Sequence, residues 1–355
     1  MYKLKYACIG AGGIANKKHL NEYSKLENVE ILAICDTNIK AAEALAEKYS
    51  IPNIFHSYED MFKSIPLDLI SVCAPNYLHT PITVAALNHG INVHCEKPLS
   101  LSSTEVQRII EAKNQSNKKV MVALNNRFTA ESQFVKNYAD QGGFGEIYRI
   151  KCGWIRRNGI PGRGSWFTNK KLSGGGSLID LGVHYLDLAM YFMNYPKVST
   201  VMGSTFSKFG DSRNRIRPGY KSNDNGIFDV EDMANGFIKL GNGATIDFEF
   251  SWASNIEKEC KYYEILGTKG GARWVNDKLE IFTEVNDSHL NLIPDTNSFK
   301  NSVNEFSGFV DCIINDVEPS ATAEEAFTLM QIIDSIYAGE KDAGVFDHSA
   351  YTIMK

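Results

Sequence analysis

Asp180 and His184 are the residues whose types and spacing most directly indicate chemistry. They lie four positions apart in a segment predicted to be an amphipathic helix, and this spacing stacks two side chains on one helix face. A carboxylate beside an imidazole gives a histidine that acts as a base near neutral pH. The same pair is also typical of a structural network, in which two polar side chains on a buried helix satisfy each other.

Three consecutive glycines, Gly174 to Gly176, stand just before this predicted helix. Because glycine has no side chain, such a run allows a substrate or cofactor to approach the backbone closely. A glycine-rich turn leading into a buried helix is the alternative interpretation. The rest of the chain must therefore decide between a site and a turn.

Composition sets the class of protein. The 355 residues are enough for two domains with separate cores, and 43% hydrophobic with 22% charged residues is typical of a soluble globular protein. A net charge of −5 argues against a nucleic-acid partner. No apolar run is long enough to span a bilayer. The seven scattered cysteines form no C-x-x-C motif, which predicts neither a disulfide framework nor a zinc ribbon and favours a cytoplasmic location.

Short apolar runs alternate with helical patterns through the first third of the chain. This alternation predicts a doubly wound parallel sheet covered by helices on both faces. The predicted strands are Lys5–Ile9, Val29–Cys35, Asn53–Phe55, Leu69–Cys73, Asn92–Cys95 and Val120–Leu124, and the predicted helices include Ile39–Tyr49, Pro81–Asn88 and Ser103–Asn114.

The first strand-to-helix turn carries Gly10, Gly12 and Ala15 in the pattern G-x-G-x-x-A. In a dinucleotide-binding fold, the first glycine allows the tight turn and the second lets the backbone approach a pyrophosphate, which then lies at the helix N-terminus. Asp36 ends the next strand and suits hydrogen bonding to the adenosine ribose diol. No cation follows it directly, although Lys40 is near, so the sequence favours NAD over NADP.

Polar residues follow two further predicted strands. Ala74, Pro75, Asn76 and His79 come after the strand ending at Cys73. Glu96, Lys97 and Pro98 come after the strand ending at Cys95. Ligands of doubly wound sheets bind beyond the carboxyl ends of the strands, so both segments are expected to edge the cofactor cleft. Proline restricts the backbone of the residue before it, which would fix the direction of the Lys97 side chain.

Beyond Phe128 the pattern changes to sequential strands with short links, which predicts an antiparallel sheet. Arg156, Arg157 and Trp166 lie between one of these strands and the glycine run. Guanidinium groups and an aromatic ring suit a pocket for a polar, ring-shaped ligand, although a surface loop with a structural Trp fits as well. The predicted strands are Glu146–Trp154, Thr200–Phe209, Ala234–Leu240, Thr245–Trp252 and Tyr262–Leu266, followed by helices over 302–315 and 323–337.

Taken together, these motifs resemble the Gfo/Idh/MocA family, named for glucose–fructose oxidoreductase, inositol dehydrogenase and a rhizopine-catabolism protein. The resemblance covers nearly the whole chain. It is carried by the loop from Gly10 to Ala15, by Ala74–Asn76, Glu96–Pro98 and Asn125–Phe128, by Gly174–Gly176 with Asp180 and His184, and by Val230–Asp232 and Gly267–Gly271.

The resemblance implies an NAD(P)-binding Rossmann domain over residues 1–126 and a substrate-binding α/β domain over 127–355. The second domain is expected to hold a large, open, mostly antiparallel sheet that often forms subunit contacts, giving homodimers or homotetramers. The family relation further implies a catalytic set of Lys97, Asp180 and His184, and no metal. A zinc site built from His79, His94, Cys95 and His184 is a minor alternative, because these positions lack standard ligand spacing.

Two sets of contact residues are predicted from the loops, strand ends and family motifs. The cofactor-binding set is Gly10, Gly12, Gly13, Ile14, Asp36, Ala74, Pro75, Asn76, His79, Glu96, Lys97 and Asn125. The substrate-binding set is Lys97, Arg127, Arg156, Arg157, Trp166, Asp180 and His184.

The expected activity is NAD-dependent oxidation of a secondary alcohol on a sugar or an inositol-like cyclic polyol. The arginines leave a sugar phosphate or uronate open as the substrate, and an amino-sugar precursor or a trans-dihydrodiol also fits the family. A catalytically silent, NAD-sensing regulatory protein on the same fold is the alternative from another functional class. The presence of all three predicted catalytic residues argues against it.

Overall fold

The computed structural model describes residues 3–210, 212–220, 222–223, 225–300 and 304–339. Its strands, in chain order, are β1 (Leu4–Ile9), β2 (Val29–Cys35), β3 (Asn53–Phe55), β4 (Leu69–Val72), β5 (Asn92–Cys95), β6 (Val120–Val122), β7 (Ile147–Ile155), β8 (Val198–Phe206), β9 (Met233–Leu240), β10 (Thr245–Ser251), β11 (Cys260–Gly267), β12 (Gly270–Val275), β13 (Lys278–Val285) and β14 (Ser288–Leu292).

The α-helices are α1 (Leu20–Tyr23), α2 (Ile39–Tyr49), α3 (Tyr58–Ser64), α4 (His79–Asn88), α5 (Ser103–Ser116), α6 (Ala130–Asp140), α7 (Lys170–Ser173), α8 (Val183–Phe192), α9 (Glu305–Asn315) and α10 (Ala323–Gly339). Two of them are preceded by a π-helical turn: Ala15–His19 runs into α1, and Leu178–Gly182 runs into α8. Such turns are rare and occur often at functional sites. None of the helices in the described residues is long and apolar enough to cross a membrane.

The described chain divides into two compact units. The first comprises residues 3–124 and 304–328, and its six strands form a wholly parallel sheet in the order β3-β2-β1-β4-β5-β6. The order reverses between β1 and β4, and this is where doubly wound sheets bind their ligands. The predicted Rossmann sheet is therefore confirmed.

Helix α9 returns to this first unit, whereas the sequence assigned residues 127–355 to the second domain. Phe306 of α9 packs edge-on against Tyr23, and Phe309 packs against His94. The backbone N–H of Val122 also donates to the carbonyl of Ala321. Position 302, where that helix was predicted to start, lies outside the described residues; α9 begins at Glu305 with Asn304 as its N-cap.

The second unit comprises the described residues of 125–303 and 329–339. Its eight strands form an open sheet in the order β14-β13-β12-β11-β7-β10-β9-β8. Every neighbouring pair is antiparallel except β7 with β10, which is parallel. The mostly antiparallel sheet expected from the family resemblance is therefore confirmed.

Two features of this unit differ from the sequence prediction. The strands β12, β13 and β14 were not predicted. Of these, β14 is exposed along its whole length and therefore lacks the alternation that marks a half-buried strand. The helix that follows the glycine run is not amphipathic. Eight of the ten residues of α8 are buried, because the helix packs between β7 and α6.

Candidate active site

The loop after β1 has the form that a dinucleotide requires. Gly10 has φ +101°, and a Cβ placed there would lie 2.5 Å from the carbonyl oxygen of Cys73, so this position admits only glycine. Around Gly12 and Gly13, by contrast, no atom lies within 4 Å of an added Cβ. Packing within the described residues does not demand these two glycines, which leaves the space for a bound phosphate.

Asp36 is fixed to this loop by its own carboxylate. Oδ2 accepts the backbone N–H of Ala11 at 2.6 Å, and Oδ1 accepts that of Asn38 at 2.7 Å. The side chain is half-buried, so its remaining lone pairs face out at the end of β2. A carboxylate held in this way suits the ribose diol of an adenine nucleotide, and it repels a 2′-phosphate.

The π-helical turn that leads into α1 carries a buried histidine, His19, which contacts the loop after β5. His19 is fully buried, with Nδ1 2.8 Å from Ser71 Oγ and Nε2 3.0 Å from Glu96 Oε1. Glu96 Oε2 in turn accepts the backbone N–H of Lys97. A chain of polar contacts therefore runs from the dinucleotide loop's helix to the predicted catalytic lysine. No motif in the sequence marks His19.

The Glu96 carboxyl is strongly acidic in this setting. Burial by itself would raise its pKa, but the hydrogen bond from His19 and the nearby charges of His19, Lys97 and His94 outweigh it and lower the pKa from 4.5 to about 2. Glu96 is thus an anion over the whole physiological range. Its negative charge lies beside Lys97, whose backbone N–H the carboxylate accepts.

His79 holds the two strand-end loops together. Its Nδ1 lies 2.7 Å from the carbonyl oxygen of Pro98, its Nε2 lies 2.8 Å from that of Ala74, and the side chain is buried. This placement favours a structural role for His79 over the predicted cofactor contact. The Lys97–Pro98 peptide bond is cis, and Lys97 itself is half-buried.

In the second unit, the glycine run serves protein packing. A Cβ at Gly175 would lie 1.9 Å from Tyr337 Oη, and one at Gly176 would lie 1.8 Å from the backbone oxygen of Glu231. The expectation that these glycines admit a ligand is therefore wrong for both positions, because the protein's own atoms fill the space. Gly174 ends α7 with φ +88°, a left-handed conformation that glycine adopts readily.

Glu231 anchors the start of the segment that carries Asp180 and His184. Its buried carboxylate accepts the backbone N–H groups of Gly176 and Leu178 at 2.9 Å and the hydroxyl of Tyr337 at 2.9 Å. Burial raises the pKa of Glu231, and these hydrogen bonds oppose the shift. An acidic side chain at a helix N-terminus satisfies donors that the helix itself leaves unpaired.

Asp180 lies in the π-helical turn, and His184 lies one turn later, as the second residue of α8; both are half-buried. The indole N–H of Trp252, directly after β10, donates to Asp180 Oδ2 at 2.9 Å. Trp252 is fully buried, so its ring is fixed by packing. Sequence reasoning missed Trp252, which no motif marks and which is 72 positions away in the chain.

Arg156 adds a positive charge beside this carboxylate. Burial lowers its pKa, and the charges of Asp180 and Glu259 act in the opposite direction. The guanidinium lies 4.0 Å above the Trp154 ring and is 3% exposed. Because arginine stays charged in proteins, Arg156 stabilises the anionic form of Asp180.

The other predicted substrate contacts are engaged elsewhere in the second unit. Arg127 is 1% exposed and forms a buried ion pair with Asp187, its Nε lying 2.9 Å from Oδ2; this favours a structural role. Arg157 donates to the carbonyl of Glu257, and Trp166 stacks on Phe167 with ring centroids 3.8 Å apart. Asn125 opens a short 3₁₀ turn after β6.

The described residues contain no group of three or more His, Cys, Asp or Glu side chains arranged to hold a metal ion. His94, one of the four residues of the alternative zinc site, lies 2.9 Å from the Tyr23 hydroxyl and 3.4 Å from Glu305. His79 is committed to two carbonyl oxygens. The zinc alternative therefore has no support in this part of the chain.

Comparison with known families matches both halves of the chain. Residues 4–124 match the model of the GFO/IDH/MocA oxidoreductase family with an NAD-binding Rossmann fold, and residues 132–273 match the GFO/IDH/MocA C-terminal domain. D-glucoside 3-dehydrogenase of Escherichia coli K12 is 33% identical over 343 residues, which is 94% of each chain. Inositol 2-dehydrogenase of Salmonella typhimurium LT2 is 30% identical over 160 residues, 44% of this chain and 48% of its own.

Solved structures show the same fold. Levoglucosan dehydrogenase in complex with NADH and levoglucosan superposes with a TM-score of 0.84 at 20% identity, covering 97% of this chain and 99% of the other. The open loop at Gly12 and Gly13 and the oriented Asp36 carboxylate agree with the matched NAD-binding Rossmann fold.

Proposed function

This chain belongs to the GFO/IDH/MocA family of NAD-binding oxidoreductases, and we propose that it oxidises one secondary hydroxyl of a sugar, specifically of a glucoside, with NAD as the acceptor. The similarity to D-glucoside 3-dehydrogenase extends over 94% of both chains and makes the hydroxyl at C3 the first to test. An inositol is the second candidate, supported by a relative that matches over less than half of either chain.

The Asp180 environment is the observation that carries the proposal. The carboxylate is held by a fully buried indole N–H and faces the buried Arg156 charge. A carboxylate so firmly oriented, one turn from an imidazole, suits the partner of a histidine base, because it can hold the ring in one direction and stabilise its protonated form. A catalytically silent sensor has no need of this arrangement.

We assign the chemical roles as follows. His184 accepts the proton of the substrate hydroxyl, and Asp180 orients the imidazole and stabilises its protonated form. Lys97 stabilises the negative charge that develops on the hydroxyl oxygen. NAD supplies the hydride acceptor when bound, and the loop at Gly10–Gly13 with Asp36 would hold it.

A neutral sugar fits the surroundings better than a phosphate or a uronate. Among the predicted arginines, Arg127 is paired with Asp187, Arg156 faces Asp180 and Glu259, and Arg157 is bonded to a carbonyl. Two of the three guanidinium groups, those of Arg127 and Arg156, are therefore already balanced by carboxylates of the described chain. An anionic substrate would compete with these carboxylates.

The experiment is a screen of NADH formation by the purified protein. Methyl glucosides, glucose, inositols, glucose phosphates and glucuronate are supplied with NAD, and the carbonyl position in each product is located by NMR. We expect the highest kcat/KM with a glucoside. A His184→Ala variant should turn over ~10² to 10⁴ times more slowly while binding NAD normally. Tight NAD binding without turnover of any of these compounds would instead support the sensor.

A further inference from the structure

We propose that the second unit contains a subsite for a second hexose ring, so that the preferred glucoside is a disaccharide; this inference rests on the proposed function. The site is a cavity of about 250 Å³ between α8 and one face of the large sheet. The aromatic and basic residues that define it are Trp154, Tyr185, Lys261, Tyr263 and Trp274. We call this cavity the aromatic pocket.

Strand register places the aromatic pocket next to Asp180. Trp154 lies on β7, and Arg156 directly follows this strand, so the two side chains lie on one face of the sheet, ~7 Å apart along the chain direction. The Arg156 guanidinium covers the Trp154 ring. The backbone N–H of Arg156 donates to the carbonyl of Ser251, and Ser251 directly precedes Trp252, the donor to Asp180. Lys261, on the neighbouring strand β11, is paired with Trp154 of β7. The aromatic pocket is thus joined to Asp180 through Trp252, Arg156 and Trp154, which makes it the neighbouring cavity in which a second ring could lie.

The walls of the pocket are aromatic and rigid. Tyr185 and Tyr263 stack with centroids 4.9 Å apart and ring planes within 1°, and Trp274 lies 5.6 Å from Tyr263. Trp154 is covered by two cations, since Lys261 Nζ lies 4.5 Å from its ring. Of these rings, Tyr185 and Tyr263 are buried, whereas Trp274 is half-buried and keeps exposed surface. Trp274 is therefore the ring best placed to meet a ligand.

The rim of the pocket supplies hydrogen-bonding groups of both kinds. Glu131 and Asp277 bring carboxylates, Asn126 brings an amide and Lys261 an ammonium. A hexose ring has apolar C–H faces and an edge of hydroxyl groups, and aromatic walls with a few polar groups are typical of pockets for such ligands. With two carboxylates against one lysine, the rim does not favour a phosphate.

The test compares affinities for one-ring and two-ring glucosides, with NADH present, by calorimetry. The probes are methyl α- and β-D-glucoside and a panel of α- and β-linked glucose disaccharides. Trp274→Ala removes the exposed ring. Arg273→Ala is the matched control, because Arg273 precedes Trp274 on β12, points to the opposite face and is exposed. Asp277→Ala changes the rim without touching the core and serves as a second variant if Trp274→Ala fails to fold.

For the wild type, we expect at least one disaccharide to bind about tenfold more tightly than the methyl glucosides, the size of a favourable aromatic contact. Trp274→Ala should abolish this preference, Asp277→Ala should reduce it, and Arg273→Ala should keep it. An equal preference in all four proteins, or none in the wild type, overturns the subsite. If methyl glucosides are nevertheless oxidised, the subsite alone fails; if no glucoside yields NADH, the proposed function fails and the subsite with it.

Discussion

The indole N–H of Trp252 donates to Oδ2 of Asp180 at 2.9 Å, and the whole Trp252 side chain is buried. This contact joins the end of β10 to the π-helical turn before α8. A buried donor of this kind fixes a carboxylate in direction and favours its charged form. The geometry of Asp180 is thus set by the sheet as well as by its own helix.

Replacing Trp252 by Phe should impair turnover through Asp180. The variant keeps an aromatic ring but loses the hydrogen bond, and we expect kcat/KM to fall about tenfold, since a hydrogen bond to a charged group contributes ~1.5–3 kcal/mol. The affinity for NAD should not change. In an Asp180→Ala background, which offers the indole N–H no acceptor, the same substitution should add little, because the losses of two directly coupled residues are not additive. Equal losses in both backgrounds would show that Trp252 acts independently of Asp180.

The two groups of glycines should respond differently to alanine. Gly13→Ala meets open space, so the variant should fold normally but bind NAD poorly. Gly176→Ala would place a Cβ 1.8 Å from the backbone oxygen of Glu231. Because this is a backbone atom, the clash can be relieved only by moving the main chain, so the variant should be strongly destabilised. Thermal unfolding and NAD titration of both variants check this contrast. A stable Gly176→Ala variant would contradict the packing role.

Asp36 should determine the choice of cofactor. Wild-type kcat/KM should be higher with NAD than with NADP, because a 2′-phosphate would meet the Asp36 carboxylate. Asp36→Asn removes the charge but retains one oxygen that accepts the N–H of Ala11 or Asn38. We therefore expect a smaller ratio of kcat/KM with NAD to kcat/KM with NADP, while the loop keeps its conformation. Steady-state kinetics with both cofactors measure this. A wild-type preference for NADP would contradict the role given to Asp36.

Glu96 should contribute to stability at neutral pH and lose that contribution in acid. Its pKa is lowered from 4.5 to about 2, so the folded state gains stability above pH ~4.5, and this gain disappears as the pH falls toward 2. Glu96→Gln should therefore flatten the dependence of the free energy of unfolding on pH between ~4.5 and 2. Denaturant titrations of the variant and of Glu43→Gln, an exposed control, provide the comparison. Identical acid profiles for Glu96→Gln and the wild type would contradict the lowered pKa of Glu96.

Local sequence signals were sufficient for the parallel sheet of the first unit, although not for the return of α9 to this unit. Near-continuous apolar runs such as Val29–Cys35 and the turn at Gly10 follow from backbone rules, so the strands and the dinucleotide loop were predictable. The second sheet was only partly predictable. Its strand β14 is exposed along its whole length at the sheet edge, and its formation depends on pairing with β13 rather than on its own pattern.

The candidate site shows the same division. The spacing of Asp180 and His184 is a local property and was visible in the sequence. The partners Trp252, Glu231 and Tyr337 come from distant segments, and only the fold reveals which polar group each one meets. For the same reason the glycines before Asp180 were misinterpreted: the sequence shows that space is needed there, whereas only the structure shows that Tyr337 and Glu231 occupy it.

The central claim is hydride transfer from a secondary carbon of a glucoside to NAD, with His184 as the base. The most direct measurement uses methyl glucoside deuterated at its ring carbons and follows the label by mass spectrometry. We predict one deuterium per NADH formed, an equal amount of keto-glucoside, and a rate lowered ~10² to 10⁴-fold in His184→Ala. NADH without deuterium, or an undiminished rate in His184→Ala, would contradict the account.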